Sequence, residues 1–241
     1  MEPSAYLDMA AVEERHWWFT GRRRILMGMM ERMQLGPGSA ILELGSGTGG
    51  NLAMLSHFGT VTAVEMDAGA REISLTRCPG VDVRAGMLPD GLPLAGESFE
   101  LICLFDVLEH VDDDMGALRA AKAHLAPGGA ILLTVPAHQS LFGPHDVELH
   151  HKRRYAYAEL RDKLLAAGFM VEKLSYMNVA LLPVAWVLRW LDKVLGRDRP
   201  TGSGLPSSPV NQALAAIFGA EAALLPRLNL PFGLSLLAVA R

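Results

Sequence analysis

The chain has 241 residues, half of them hydrophobic, with 22 basic and 26 acidic side chains and a formal net charge of -4. That length suits one core-bearing domain with insertions, and the near-balanced charge argues against disorder and against a nucleic-acid partner. Two cysteines in unrelated contexts, Cys78 and Cys103, read as reduced and buried in a cytoplasmic protein. The first residues, Met1 to Tyr6, carry neither a basic nor an apolar signal-type segment, and no long period repeats.

Residues 3–18 read as a helix, Gly21 as its break, and Arg22-Arg23-Arg24 as the opening of a second helix running to about Gln34. Together they make a helical cap over residues 1–38. Trp17, Trp18 and Phe19 carry two readings. They pack the helix pair onto the core, or they form a lid over a ligand whose carboxylate one of the three arginines reaches. The pattern does not choose among the arginines.

Gly36-Pro37-Gly38 turns into Ala40-Ile41-Leu42-Glu43-Leu44, an apolar run that reads as a buried parallel strand. It leads into glycines and then into an apparent helix from Asn51. Strand, glycine turn and helix bring backbone N–H groups close to a ligand at a helix N-terminus. Gly45, Gly47 and Gly50 satisfy the G-x-G-x-x-G spacing, which by itself suits NAD as well as other nucleosides. Glu43, two residues before the first glycine, favours a cationic ligand and would repel a pyrophosphate. The run Glu43-x-Gly45-x-Gly47-x-Gly49 resembles the first motif of the class I S-adenosylmethionine (SAM)-dependent methyltransferases. An aromatic pair followed by basic residues ahead of it is loosely similar to the ubiquinone-type O-methyltransferases.

Thr60–Glu65 alternates and is β-branched, hence a second strand. Glu65 falls about 20 residues past Gly45, where an acid binds ribose hydroxyls in Rossmann-like sheets, and Asp67 is placed to cap the next helix. Val81–Arg84 is a short third strand ending at Gly86-Met87. The family carries Gly-Asp there, so in this chain adenine would rest on Met87 and Leu88 by packing and backbone contacts. Ser98–Phe105, with Glu100 for the family's aspartate, resembles its entry to the fourth strand. Asp106-Val107-Leu108-Glu109-His110 resembles its "VLEH" signature. Leu125-Ala126-Pro127-Gly128-Gly129 then turns into a fifth strand, Ala130–Val135. The resemblance covers residues 40–136. It implies a cofactor set of Glu43, Gly45, Ser46, Gly47, Gly49, Asn51, Glu65, Met66, Met87, Leu88, Phe105 and Asp106. His110 reads as a residue fixing its loop, with a base role as the alternative.

Beyond Val135 comes a polar stretch with His138, His145, Asp146, His150, His151, Lys152, Arg153, Arg154 and Tyr155, where the family builds its acceptor site. Three readings stand. It is solvated or fold-stabilising polarity; or a cluster facing the acceptor, with His145 and His150 as base candidates, Asp146 orienting one of them, and Arg153 or Arg154 pairing an anion; or a metal site of His145, Asp146, His150 and His151. The spacing fits no zinc pattern, so no metal is expected. Tyr157–Ala167 reads as a helix and Phe169–Met177 as a sixth strand. Val179–Leu195 reads as an apolar helix with Trp186 and Trp190 one turn apart. It either covers the acceptor pocket or lies on a membrane surface, being too short to cross one. Residues 196–209 read as a mobile loop, Val210–Leu225 as a helix and Phe232–Ala240 as a last strand.

The expectation is a three-layer Rossmann-like α/β sandwich with a seven-stranded, mostly parallel sheet. It has the cap over 1–38, a SAM-binding core over 39–177, and a helical acceptor-side insertion plus final strand over 178–241. In the family that strand inserts antiparallel between the fifth and sixth. SAM would donate a methyl group to a small-molecule or lipid-linked acceptor, oxygen favoured over nitrogen or carbon, in a cytoplasmic enzyme with peripheral membrane contact through 179–195 as a further reading. The competing classes are an NAD-dependent oxidoreductase and a non-catalytic module that keeps the fold. Acceptor identity and oligomeric state are not encoded in any motif.

Overall fold

A computed structural model describes residues 3–183, 186–187 and 204–241. Seven strands form one sheet: β1 (Ala40–Leu44), β2 (Thr60–Glu65), β3 (Asp82–Ala85), β4 (Phe99–Phe105), β5 (Leu125–Pro136), β6 (Val171–Met177) and β7 (Ser235–Ala240). Their order is β3-β2-β1-β4-β5-β7-β6, with β7 antiparallel to β5 and β6 and the other pairings parallel. The described helices are α1 (Pro3–Val12), α2 (Trp17–Met33), α3 (Leu52–Leu55), α4 (Ala68–Arg77), α5 (Asp114–Ala123), α6 (Pro144–Glu148), α7 (Tyr157–Ala166) and α8 (Ser208–Gly219). The expected seven-stranded sheet and the antiparallel last strand are both present.

Strand periodicity divides the core into two layers. Leu42, Leu44, Ile102, Leu104, Ile131 and Leu133 face one side, where they meet α5 and α7 through Leu118, Leu160 and Leu164. Ile41, Leu101, Cys103, Phe105 and Leu132 face the other, against Ile25, Met29 and Met30 of α2 and Phe218 of α8. Every one of these strand residues is buried, so the strands read as continuous apolar runs. The order of strands reverses beside β1, between β2 and β4. That places the ligand crevice of such a sheet at the C-terminal ends of β1, β2 and β4.

The N-terminal helix pair departs from expectation. α1 ends at Val12, and His16 caps α2 with its Nδ1 accepting from the Trp18 amide at 3.3 Å, so Trp17, Trp18 and Phe19 open the second helix. Gly21 lies inside α2 and breaks nothing. A Cβ there would stand 2.5 Å from Phe218 Cδ1, and the Phe218 ring is fully buried and stacked on Trp18 with centroids 5.1 Å apart. Glycine is therefore the residue that lets α8 approach α2. Replacing it removes a helix-propensity penalty of about 1 kcal/mol but overpacks the contact by about 1–3 kcal/mol. Gly21→Ala is expected to lower stability by about 1 kcal/mol; an increase in the urea midpoint would show that Phe218 yields freely.

Smaller differences follow from hydrogen bonding. The Pro127-Gly128-Gly129 segment is a continuation of β5, which starts at Leu125 with a register shift opposite Phe99 and Leu101. The expected last helix stops at Gly219 and tightens into a 3-10 turn, Ala220–Ala223. The expected helix Val179–Leu195 and mobile loop 196–209 fall largely outside the described residues, Trp190 included; Trp186 is exposed. Among the described residues no helix is long and apolar enough to cross a membrane.

Candidate functional site

The first wall of the crevice is the loop after β1. Gly45, Gly47 and Gly49 all hold positive φ, at 71°, 55° and 83°, which makes the chain turn sharply enough to aim amides outward. The Gly45 amide is tied to the Val64 carbonyl at 2.8 Å, joining the loop to β2. A Cβ on Gly45 would meet Val107 Cγ2 at 2.7 Å, so the two loops lining the crevice close on each other there.

Glu65 ends β2 and is buried. One carboxylate oxygen accepts from the Gly47 amide at 2.8 Å, the other from the Asp67 amide at 2.9 Å, and the Tyr6 hydroxyl donates to it as well. Burial and the neighbouring Glu65 and Asp67 charges push the Tyr6 hydroxyl well above its usual range. α1 thus lies across the crevice mouth, where Tyr6 and Leu7 face Asp67, Ala68, Gly69, Glu72 and Ile73 around a cavity of about 400 Å³. Asp67 caps α4 as the sequence implies, accepting from the Ala70 amide at 2.8 Å.

Glu43 sits at the end of β1, fully enclosed. Asn51 Nδ2 donates to its Oε1 at 2.8 Å, while its Oε2, the Asn51 Oδ1 and the Ser46 Oγ are buried without hydrogen-bond partners among the described residues. Burial pushes the Glu43 carboxyl up to about 8, against the pull of Asn51 and Arg22. Glu43 Oε2 and Asn51 Oδ1 are thus unpaired acceptors on two hydrogen-bonded side chains, and Ser46, three residues on, adds an unpaired hydroxyl; the ionised carboxylate form of this group suits an ammonium.

The third wall is the end of β4. Asp106 takes the left-handed conformation at φ 57°, with its amide bonded to the Thr134 carbonyl at 3.0 Å and its Oδ1 accepting from Thr134 Oγ1 at 3.1 Å. Arg22, buried on α2, forms an ion pair with Asp106. This singles out the inward arginine that the sequence left open. Arg23 instead donates to the Glu13 carbonyl at 2.9 Å and the Gly50 carbonyl at 3.3 Å. The crevice therefore gathers Glu43, Gly45, Ser46, Gly47, Gly49, Asn51, Glu65 and Asp106, with Phe105 buried behind them. Met66 and Met87 lie at the rim, both more than half exposed. Leu88 is partly buried and packs against the core.

Two further residues at this crevice carried no motif. Glu13 pairs with Arg77 and accepts from Thr48 Oγ1, which pins α1 and the glycine loop to α4. Tyr6 reaches Glu65 from a helix whose apolar pattern gave no hint of it. Only their tertiary partners reveal them.

The polar stretch after β5 is internally paired. Arg154 Nε donates to Asp146 Oδ1 at 2.8 Å, His151 Nδ1 to the same oxygen at 2.9 Å, and the Gly143 amide to its other oxygen at 2.9 Å. Burial opposes ionisation of Asp146, but these contacts win and hold its carboxyl well below the usual carboxylate range. Arg153 bonds Asp114 at 2.9 Å, and Tyr155 Oη donates to the same carboxylate at 2.9 Å. Both arginines offered as anion binders are thus engaged with protein carboxylates. His138 stacks on Tyr176, centroids 5.3 Å apart, and is within 2.9 Å of the Gly233 carbonyl. Of the two base candidates, His145 is half-buried on α6 and His150 is exposed, and the histidine that Asp146 holds is His151. Glu109 and His110 occupy a 3-10 turn after β4; burial pushes Glu109 well above the usual carboxylate range and lowers His110 to about 4.

Comparisons with known proteins identify a family for the chain. A family model described as a methyltransferase domain matches residues 18–178. A probable S-adenosylmethionine-dependent methyltransferase of Mycolicibacterium smegmatis is 29% identical over 162 residues, 66% of this chain and 62% of that protein. A ubiquinone biosynthesis O-methyltransferase of Xanthomonas campestris is 28% identical over 141 residues, 53% of this chain and 59% of its own. The chain thus spans about three-fifths of these relatives' length. Among solved structures, a Haloferax volcanii methyltransferase in complex with the Trm112 methyltransferase activator aligns with a TM-score of 0.63 at 19% identity, covering 98% of this chain and 93% of that one. A SAM-dependent methyltransferase from Mesorhizobium loti aligns at 0.58 and 16%, covering 88% and 95%. With two-thirds of its length under that family model, the chain belongs to the methyltransferase-domain family, whose cofactor is S-adenosyl-L-methionine.

Proposed function

We propose that this chain is a methyltransferase that binds SAM in the crevice at the ends of β1, β2 and β4 and methylates a small-molecule or lipid-linked acceptor, with oxygen as the favoured target. The observation that carries the reading is the pairing of two buried carboxylates across one glycine loop. Glu65 suits the ribose hydroxyls, and Glu43 with Ser46 and Asn51 suits the ammonium of the methionine part. A nicotinamide dinucleotide would bring a pyrophosphate to the same loop and no ammonium to meet the unpaired Glu43 and Asn51 oxygens.

The cofactor supplies a methyl group on a sulfonium, and transfer from it is an in-line displacement. The protein's share is therefore mostly positioning. Arg22 and Thr134 fix Asp106 at the end of β4, and Phe105 shields the crevice floor from the core side. α1, held down by Glu13 and Tyr6, would exclude water from the site. Among the polar residues beyond β5, His145 and His150 remain the base candidates for an acceptor hydroxyl. The preference for oxygen draws on them and on the ubiquinone O-methyltransferase relative.

Calorimetric titration with S-adenosylhomocysteine and, separately, with NADH tests this proposal. Micromolar binding of the first and none of the second is the expected result. Binding of NADH alone would replace the proposal with an oxidoreductase; binding of neither would favour a non-catalytic module.

A further inference from the structure

Just beyond the crevice's third wall, three potential metal ligands converge where the turn after β4 meets the histidine stretch. Glu109 and His110 come from the 3-10 turn, and His151 reaches them from the segment after α6. The two segments are tied by the Lys152 amide, which donates to the Glu109 carbonyl at 2.9 Å. His151 Nε2 lies 3.9 Å from Glu109 Oε1, and the His110 and His151 rings meet edge-to-face with centroids 4.8 Å apart. One donor atom from each of the three side chains lies within 4.8 Å of the other two.

Two features set this cluster apart from ordinary buried polarity. Glu109 is 0% exposed, yet neither of its carboxylate oxygens has a hydrogen-bond partner among the described residues. A buried carboxyl group in that state is costly unless a cation or donors compensate it. The nearby arginines are committed elsewhere, Arg154 to Asp146 and Arg22 to Asp106. At 3.9 Å, His151 does not hydrogen-bond Glu109 either.

The second feature is the far side of His151. Its Nδ1 lies 2.9 Å from Asp146 Oδ1, a carboxylate that Arg154 and the Gly143 amide keep ionised and oriented. Such a contact places the imidazole proton on Nδ1 and turns the Nε2 lone pair toward Glu109. The same carboxylate–histidine arrangement stands behind metal-bound histidines.

We infer that Glu109, His110 and His151 form a binding site for a single first-row divalent cation, with Asp146 as the outer residue that orients His151. Two imidazole nitrogens and one carboxylate oxygen suit Zn²⁺, Co²⁺ or Mn²⁺ better than Ca²⁺ or Mg²⁺, which favour oxygen donors. In a tetrahedral site with bonds of ~2.0–2.1 Å the ligand atoms stand ~3.4 Å apart, so donor atoms now within 4.8 Å of one another need to close by at most about 1.4 Å. Three protein ligands leave a position for an outside oxygen ligand. Of the four residues that the sequence pattern suggested for a metal, only His151 is a ligand here, and Asp146 supports it. Glu109 and His110 come from the motif that reads as loop-fixing.

The test uses the full chain, treated with a chelator, desalted and titrated with ZnCl₂ or MnCl₂ in the absence of cofactor. One equivalent of at least one of the two ions is expected to bind. Glu109→Gln and His151→Gln should each weaken that binding about 100-fold, and Asp146→Asn about 10–100-fold. Co²⁺ should give the visible absorption of a tetrahedral site with the parent protein and lose it with Glu109→Gln. That variant keeps the size and shape of the buried side chain and adds no charge, so it retains the fold; circular dichroism checks this. Failure of both ions to bind the parent, or equal binding by Glu109→Gln, overturns the site. S-adenosylhomocysteine binding, measured on the same samples, reports separately on the cofactor crevice. Metal binding lost with it retained identifies a failure of this inference alone.

Discussion

Replacing Glu65 with alanine is expected to weaken S-adenosylhomocysteine binding by at least about 100-fold. A hydrogen bond to a charged group contributes about 1.5–3 kcal/mol, and two ribose hydroxyls on one carboxylate give about 3–6 kcal/mol, or ~10²–10⁴ in affinity. The loss is enlarged because Glu65 also organises the site before any ligand arrives. It holds the Gly47 amide at 2.8 Å and the Asp67 amide at 2.9 Å, so alanine frees the glycine loop and the start of α4 together. A carboxylate has about four acceptor positions, so the two backbone amides leave room for ligand hydroxyls, and the Tyr6 contact is the one that must yield. Calorimetry decides the matter. A change below about tenfold would remove Glu65 from the ribose site and leave it a purely structural role.

How much of this was legible in the sequence depended on whether the deciding contact was local. β1 and β2 are legible from pattern because their apolar and β-branched runs are bounded by glycines and polar turns, and both begin and end where the pattern says. The insertion of β7 between β5 and β6 was available only through resemblance to a family, since a buried strand of one serine and five apolar residues does not state which neighbours it pairs with. The helix boundary after Val12 is hidden because Glu13 and His16 suit a continuing helix; Glu13 is diverted by Arg77 and Thr48, and His16 by its capping role. Gly21 looks like a break because its reason, the ring of Phe218, lies far along the chain. The same holds for the choice of Arg22 over its two neighbours, and for the histidine stretch. Nothing in that stretch's spacing tells that Asp146 is shared by Arg154 and His151.

Glu43 makes cofactor affinity depend on pH in a direction that follows from its burial. Its carboxyl is pushed up to about 8 chiefly by burial, with the Asn51 hydrogen bond and Arg22 opposing, so the free protein holds it protonated at neutral pH. An ammonium at Glu43 needs the carboxylate. Each binding event therefore releases about one proton, and affinity for S-adenosylhomocysteine should rise about tenfold per pH unit between pH 6 and 8, then level off. Stability of the free protein runs the other way. A folded-state pKa above the unfolded value of about 4.3 contributes stability that is full below that value and is lost as pH rises through about 8. Raising the pH thus loosens the empty β1 end while tightening the bound one. Titrations at pH 7 in buffers of different ionisation enthalpy count the released protons directly, and Glu43→Gln should flatten the pH profile and abolish the release. Zero proton release from the parent protein would mean that Glu43 does not meet the ammonium, and the group of Glu43, Ser46 and Asn51 would need another ligand.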